Sequence, residues 1–292
     1  MSNKNAIVIL THNLYFTETV LKNMPKQKGI DIIFVNDVRV KNCITGLNKL
    51  IYKYNLQRNA RIFSSIVINR YIKSVLELTE DGISYLEMYT MGMNINAQYY
   101  ILAHPRSPYK KAIFLDEDVL INKDLSEIFE KEEFSFLGSI MNTGHIYCSD
   151  ERSVAWKDFA KCECKTWVDS YINGGQRIYT GTDKFKRMYK KLLEEFYNNE
   201  VFYACFKRWK ETGKNKSYAF FQDQNFETSF IIRSGLGNYN MKEYCRYVCG
   251  FGLLKHKEKY IEKHLLHFAL CVDVNKKIDF IKMLQKEKII KR

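Results

Sequence analysis

The sequence predicts one α/β domain, an open sheet of mostly buried strands flanked by helices. Three observations lead to this prediction. Apolar runs of strand length alternate with segments of helical periodicity, 46% of the 292 residues are hydrophobic, and 3 Pro and 14 Gly leave little material for a linker. We therefore expect one continuous domain over residues 1–271, followed by a basic helical tail over residues 272–292.

The first elements follow the order strand, helix, strand, helix. Ala6–Leu10 and Asp31–Val35 are apolar runs of strand length, and polar residues follow each run. A short helix is expected between them. Apolar residues spaced by three and four predict an amphipathic helix over residues 44–54. This alternation is the opening of an open α/β sheet.

The later elements are assigned in the same way. An aromatic-rich helix is expected over Tyr85–Ala103, before a turn with two prolines. Strands are predicted at Lys111–Leu115, Phe134–Met141 and Trp167–Ile172. A long helix follows, because the apolar residues of Phe185–Phe196 keep a spacing of three and four.

The composition points to an anionic partner. Lys plus Arg number 46 against 33 Asp plus Glu, a formal charge of +13, which attracts a nucleotide, a lipid headgroup, a nucleic acid or an acidic glycan. No apolar run has the length of a signal peptide or a membrane span. We therefore expect a cytoplasmic protein whose eight cysteines are reduced.

The most specific pattern is a pair of carboxylates, Asp116 and Asp118, directly after the apolar strand Lys111–Leu115. Residues i and i+2 lie on the same side of an extended chain, so both carboxylates can converge on one divalent cation. At the carboxyl end of a buried strand, such ligands suit Mg²⁺ or Mn²⁺ that bridges the phosphates of a nucleotide. The alternative is a loop in which Asp caps the following turn.

The segment Phe114-Leu-Asp-Glu-Asp-Val-Leu-Ile-Asn-Lys-Asp-Leu125 resembles the metal-binding segment of GT-A glycosyltransferases, particularly glycosyltransferase family 8. Other segments also resemble this family, and they occur along the chain in the family's order, at Thr11-His-Asn13, Asn173-Gly-Gly175, Asp223-Gln224 and His267. The resemblance implies a GT-A-like fold, a Rossmann-like mixed sheet flanked by helices. It also implies a nucleotide-binding half at residues 1–135 and an acceptor-side half at residues 136–271.

The resemblance also implies roles for individual residues. The metal, Mn²⁺ or Mg²⁺, would be bound by Asp116, Asp118 and His267. The donor would be bound by Thr11, Asn13, Asp37, Glu117, Asn173, Gly174 and Gly175. Asp223 and Gln224 would be the catalytic residues that face the transferred sugar. The family's Lys-Pro-Trp run after the late His is absent, and Lys276 is the nearest replacement for its diphosphate-binding lysine.

Local patterns leave other interpretations open for four of these residues. Asp223 is also typical of a helix cap or a turn. Gly174 and Gly175 are also typical of a hairpin turn. A histidine with apolar neighbours, as at His267, is often a hydrogen-bonded core residue.

The function implied by the resemblance is metal-dependent transfer of a hexosyl group from a UDP-sugar to a glycan or lipid-linked acceptor, with retention of the anomeric configuration. One alternative is transfer to a modified DNA base, favoured by basic and aromatic residues around Trp209. Another is a haloacid-dehalogenase-like phosphotransferase in which Asp116 attacks phosphorus and Asp118 is the acid or base. The last alternative is a binding module without turnover.

The tail over residues 276–292 combines apolar and basic residues. Seven basic residues surround apolar ones that include Ile278, Ile281, Met283, Leu284 and Ile289. This pattern is typical of a helix that lies on an anionic membrane surface, so we expect peripheral contact with the inner membrane face. A solvated terminal helix is the alternative.

Overall fold

The structure of the chain is a computed structural model. It describes residues 4–36, 42–64, 94–131, 136–140, 151–197, 223–236, 238–240, 243–247, 262–268 and 274–290.

The described strands form two sheets. They are β1 (Lys4–Thr11), β2 (Ile30–Asn36), β3 (Ala60–Ser64), β4 (Tyr109–Leu115), β5 (Val119–Ile121), β6 (Phe136–Ile140), β7 (Ile172–Thr180), β8 (Asn238–Asn240), β9 (Cys245–Tyr247) and β10 (Leu265–His267). The larger sheet has seven strands in the order β3-β2-β1-β4-β7-β6-β8, and the smaller sheet has the order β5-β10-β9. Strands β3, β2, β1 and β4 are parallel, whereas β7 runs antiparallel to both of its neighbours. The larger sheet is therefore mixed but mainly parallel.

Helices cover both faces of the larger sheet. They are α1 (Leu14–Asn23), α2 (Cys43–Lys53), α3 (Ser126–Glu130), α4 (Glu151–Ala160), α5 (Cys164–Ser170), α6 (Asp183–Tyr197), α7 (Asp223–Ser234) and α8 (Val274–Lys286), with a π-helical turn at Tyr99–Ala103. Helix α1 begins at Leu14 because the Asn13 side chain accepts a hydrogen bond from the Tyr15 N–H at 2.9 Å.

The core has two layers because the parallel strands are buried on both faces. In β1, Val8 and Leu10 face one layer, whereas Ile7 and Ile9 face the other. The first layer contains aromatic side chains of α4, α6 and α7, namely Trp156, Phe159, Phe185, Tyr189, Phe196, Phe226 and Phe230. The second layer contains apolar residues of α1, α2, α8 and the smaller sheet. The predicted α/β class and the predicted flanking helices are confirmed.

Most predicted elements are confirmed where the structure describes them, including the strands that became β1, β2 and β4 and the helices α2 and α6. The strand predicted at Trp167–Ile172 is wrong, because most of that segment is α5. Trp167 and Tyr171 are both buried and lie four residues apart, which is helical spacing. Asn173-Gly-Gly175 consequently lies inside β7 rather than after a strand. Within Tyr85–Ala103, the described residues 94–103 are helical.

The apolar residues of the tail are used in the core. Phe280, Ile281 and Leu284 of α8 are buried, and the Phe280 ring lies 5.6 Å from the Phe268 ring. This packing accounts for the apolar stripe, so the structure does not support the expected membrane contact. No helix in the described ranges is long and apolar enough to cross a bilayer.

The cysteines differ from the expectation at one position. Cys164, the first residue of α5, is disulfide-bonded, so the prediction of reduced cysteines is wrong for it. Cys43, Cys162 and Cys245 are not in disulfide bonds, as expected.

A buried ion pair connects the sheet to α7. The Arg177 Nε of β7 contacts the Glu227 Oε1 of α7, and both side chains are at most 1% exposed. Gln98 donates to the same carboxylate and accepts a hydrogen bond from the Tyr189 hydroxyl at 2.6 Å. Buried charges are tolerated when they are paired in this way. The network fixes the position of α7 against β7.

We expect Glu227→Ala to lower the free energy of unfolding by about 3–5 kcal/mol, because it leaves the Arg177 guanidinium buried without its carboxylate. The double variant Arg177→Met/Glu227→Leu should lose less stability than Glu227→Ala, since it removes both charges. Urea unfolding followed by circular dichroism measures both values. A double variant less stable than Glu227→Ala would contradict this account of the pair.

Candidate functional site

The site lies at the carboxyl edge of the larger sheet. Residues Ala112 to Leu115 of β4 are at most 1% exposed, so the first polar side chains of this segment follow directly at Asp116. Strand β1 is parallel to β4, and it ends at Thr11 on the same edge. Ligands of open α/β sheets bind at such edges.

Strand pairing brings His267 to this edge. β5 begins directly after Asp118 and pairs antiparallel with β10, so that His267 lies opposite Val119. The Phe268 N–H donates to the Asp118 carbonyl at 3.1 Å, which holds the two segments in register. His267 Nε2 consequently lies 3.4 Å from Asp118 Oδ1.

Asp116, Asp118 and His267 form a group that could hold a metal ion. One ligand atom from each residue lies within 4.8 Å of the other two. In octahedral coordination with bonds of about 2.1 Å, adjacent ligand atoms lie about 3 Å apart and opposite ones about 4.2 Å apart, so the three side chains would have to move closer together around a bound ion. Two carboxylates and one imidazole fit a divalent cation such as Mn²⁺ or Mg²⁺. The structure thus brings together the three predicted metal ligands.

Gly175 makes room for the His267 ring. A Cβ atom on Gly175 would lie 2.0 Å from His267 Cε1 and 2.5 Å from Nε2, so any side chain there would displace the ring. The Gly175 carbonyl also accepts the Asp116 N–H at 2.9 Å. Gly175 is therefore a position of close approach inside a strand, and the hairpin-turn interpretation is wrong.

Lys277 of α8 also reaches the site. Its Nζ lies 2.5 Å from Asp118 Oδ2. Burial alone would raise the pKa of Asp118, but the adjacent His267 and the charge of Lys277 outweigh it and hold that pKa well below its usual range. The sequence pointed instead to the neighbouring Lys276 as the replacement for the diphosphate-binding lysine, and that side chain is exposed.

Glu117 points towards the end of β1. Its carboxylate accepts hydrogen bonds from the backbone N–H groups of His12, at 2.5 Å, and Asn13. Burial raises the pKa of Glu117 to about 7, although these hydrogen bonds and the nearby His12 oppose the change. Glu117 thus joins the end of β4 to the turn before α1. Its predicted contact with the donor stays a prediction.

A row of polar residues lies at the ends of β1, β2 and β3. Thr11 pairs in register with Asn36, and Asn36 with Ser64. Asn36 Nδ2 donates to Ser64 Oγ at 3.2 Å. Thr11 Oγ1 and Asn36 Oδ1 are buried and make no hydrogen bond within the described ranges. Sequence reasoning chose Thr11 but missed Asn36, although a polar residue directly after an apolar strand was the available signal.

The remaining predicted residues are described in part. Asp37 and the side chains of Asn173 and Asp223 lie outside the described residues. The backbone of Asp223 begins α7, and Gln224 follows in its first turn. Thr228, one turn later, accepts the Ile172 N–H at 3.4 Å, which holds α7 beside the start of β7. Roles in catalysis stay predictions for Asp223 and Gln224.

No protein-family model matches the sequence, and no curated protein is significantly similar to it. Solved structures are similar in fold. Mouse xyloside xylosyltransferase 1 has a TM-score of 0.53 and 13% identity, over 94% of this chain and 100% of that one. Galactosyltransferase LgtC, solved with donor and acceptor sugar analogues, has a TM-score of 0.52 and 12% identity, over 95% of each chain.

The bifunctional glycosyltransferase WbbM has a TM-score of 0.51 and 14% identity, over 99% of this chain and 51% of that one. At such identities the likeness shows the fold alone. The chain has the fold of these GT-A glycosyltransferases, so the predicted GT-A-like fold is confirmed. Membership of family 8 is not shown.

We expect Gly175→Ala to weaken Mn²⁺ binding at least about tenfold, because the new methyl group must displace the His267 ring. Electron paramagnetic resonance of free Mn²⁺ measures the affinity. Gly181→Ala is the control, since its Cβ would press on Leu102 at 2.9 Å, away from the three ligands. Wild-type Mn²⁺ affinity in folded Gly175→Ala would argue against His267 as a ligand.

Proposed function

We propose that this chain is a metal-dependent glycosyltransferase that moves a sugar from a UDP-sugar to a glycan acceptor. The observation that carries the proposal is the convergence of Asp116, Asp118 and His267 at the ligand-binding edge of a GT-A-like sheet. The structural likeness to LgtC, which was solved with donor and acceptor sugar analogues, supports it.

Asp116, Asp118 and His267 would hold Mn²⁺ or Mg²⁺. When bound, the cation supplies positive charge that stabilises the departing diphosphate. The chain's own part is to keep the ligands in place before the donor arrives. Gly175 admits the His267 ring, and the Phe268 N–H fixes the backbone of Asp118. Such preorganisation saves reorganisation during the reaction.

The nucleoside would lie at the ends of β1 and β2. Asn36 Oδ1 is an acceptor, the Thr11 hydroxyl can both accept and donate, and buried polar atoms without a hydrogen bond are rare. A pyrimidine with an N–H donor, such as uracil, supplies what they lack. Asn13 and the turn held by Glu117 lie next to this position in the chain. This arrangement favours a uridine-linked donor.

The sugar would lie between the first turn of α7 and the start of β7. We assign Asp223 and Gln224 to orienting the sugar and stabilising its reacting carbon, with Asn173 and Gly174 beneath it. Hexosyl transfer with retention of configuration is part of the proposal, as is the division into a donor half over residues 1–135 and an acceptor half over residues 136–271. The buried pair Arg177–Glu227 supports this assignment, because it holds α7 one turn from Asp223.

The structure supports the other candidate functions less well. The fold resembles glycosyltransferases over almost the whole chain, which favours sugar transfer over a phosphotransferase. The basic and aromatic segment around Trp209, which motivated a DNA acceptor, lies outside the described residues. The apolar stripe of the tail, which motivated a membrane-bound acceptor, is packed in the core.

We expect one UDP-sugar of a panel of UDP-linked hexoses and pentoses to raise the melting temperature when Mn²⁺ is present and not when a chelator is present. A ligand that binds only the native state, at about a hundred times its Kd, adds about 2.7 kcal/mol of stability, or about 5 °C here. Differential scanning fluorimetry measures the shift.

Asp116→Asn and Asp118→Asn should remove this shift without unfolding the chain. Asp279→Asn is the matched control, because Asp279 is an exposed carboxylate on α8. A shift that survives the chelator would contradict the metal site. A response to phosphorylated metabolites and to no nucleotide would favour the phosphotransferase.

A further inference from the structure

Helix packing does not explain why position 277 is a lysine. Lys277 lies three, four and seven residues before Phe280, Ile281 and Leu284, so it shares the buried face of α8. An apolar side chain would suit that face. Position 277 is also in the first helical turn, where the helix dipole disfavours a cation. A specific partner must therefore compensate for the buried charge.

Asp118 is that partner. Lys277 Nζ lies 2.5 Å from Asp118 Oδ2, and the two side chains are only 17% and 11% exposed. By contrast, Lys282 on the same helix is 64% exposed and lies 3.8 Å from Asp279 in an ordinary surface pair. The Lys277–Asp118 contact is thus a shielded ion pair between a core-packed helix and one of the three candidate metal ligands.

We propose that Lys277 is an internal counter-cation of the metal site, which competes with a divalent ion for Asp118 and makes metal binding depend on the donor's diphosphate. This inference rests on the proposed function. The carboxylates of Asp116 and Asp118 carry two negative charges, and the ammonium of Lys277 cancels one of them. A divalent ion without the diphosphate is therefore attracted by only one net negative charge, and it is repelled by the positive charge of Lys277.

A diphosphate changes this balance. Its negative charges attract both cations, so the flexible lysine can turn from Asp118 to a phosphate oxygen while Asp118 becomes available as a ligand. The divalent ion then favours the binding of the diphosphate, and the diphosphate favours the binding of the ion to the same extent. The anchored helix limits the movement to the side chain, because Phe280 remains packed on Phe268.

The test is a binding cycle with Mn²⁺ and uridine diphosphate. Free Mn²⁺ is followed by electron paramagnetic resonance, with and without uridine diphosphate, and uridine diphosphate binding is followed by calorimetry, with and without Mn²⁺. Lys277→Met should bind Mn²⁺ alone at least about fivefold tighter than the wild type, and the coupling between the two ligands should fall by a similar factor. Lys277→Gln, a second neutral variant, should behave in the same way.

Lys282→Met and Lys286→Met are the controls, since each removes one exposed charge from the same helix. The Mn²⁺ affinity of each control should stay within about twofold of the wild-type value at ~0.15 M salt, where exposed charges are screened. Unchanged or weaker Mn²⁺ binding by folded Lys277→Met and Lys277→Gln would overturn the inference, while Mn²⁺-dependent binding of uridine diphosphate by the wild type would leave the proposed function intact. Absence of that binding in the wild type would overturn both.

Discussion

The pairing of β10 with β5 is the interaction on which the candidate site depends. It joins two three-residue strands far apart in the chain, and its register places His267 beside Asp118. A slip by one residue would turn His267 to the opposite face of the sheet. Hydrogen bonds from Phe268 to Asp118 and from Asn122 to His264 hold both ends of the pairing. The three possible metal ligands therefore follow from strand register.

The same pairing also organises the surrounding elements. Phe268, the residue after β10, packs against Phe280, and this contact seats α8 so that Lys277 reaches Asp118. On the other side, β7 passes so close to His267 that a side chain at position 175 would displace the imidazole ring. A β-bulge interrupts the pairing of β6 with β7 near this point. Bulges are common beside functional sites, where they redirect a strand.

Local sequence patterns predicted the parts of the fold that local physics controls. Apolar runs identified β1, β2 and β4 because these strands are buried on both faces, and the abrupt change to carboxylates after Leu115 identified Asp116 and Asp118. His267 was found only through the order of motifs, since its apolar neighbours are typical of core. Lys277 was missed because its partner is distant in sequence, and no periodicity reveals a contact of that kind.

The charge of the site differs from the charge of the whole chain. A formal charge of +13 attracts anionic nucleotides from a distance, yet the edge of the sheet presents two carboxylates that would repel a diphosphate at contact. A cation is needed to reverse the sign of the field at that edge. The fold provides one such charge itself, through Lys277, and the geometry of Asp116, Asp118 and His267 suits a second. Under the proposed function, long-range attraction and local selectivity for a metal-bound anion would thus be separate properties, carried by different residues.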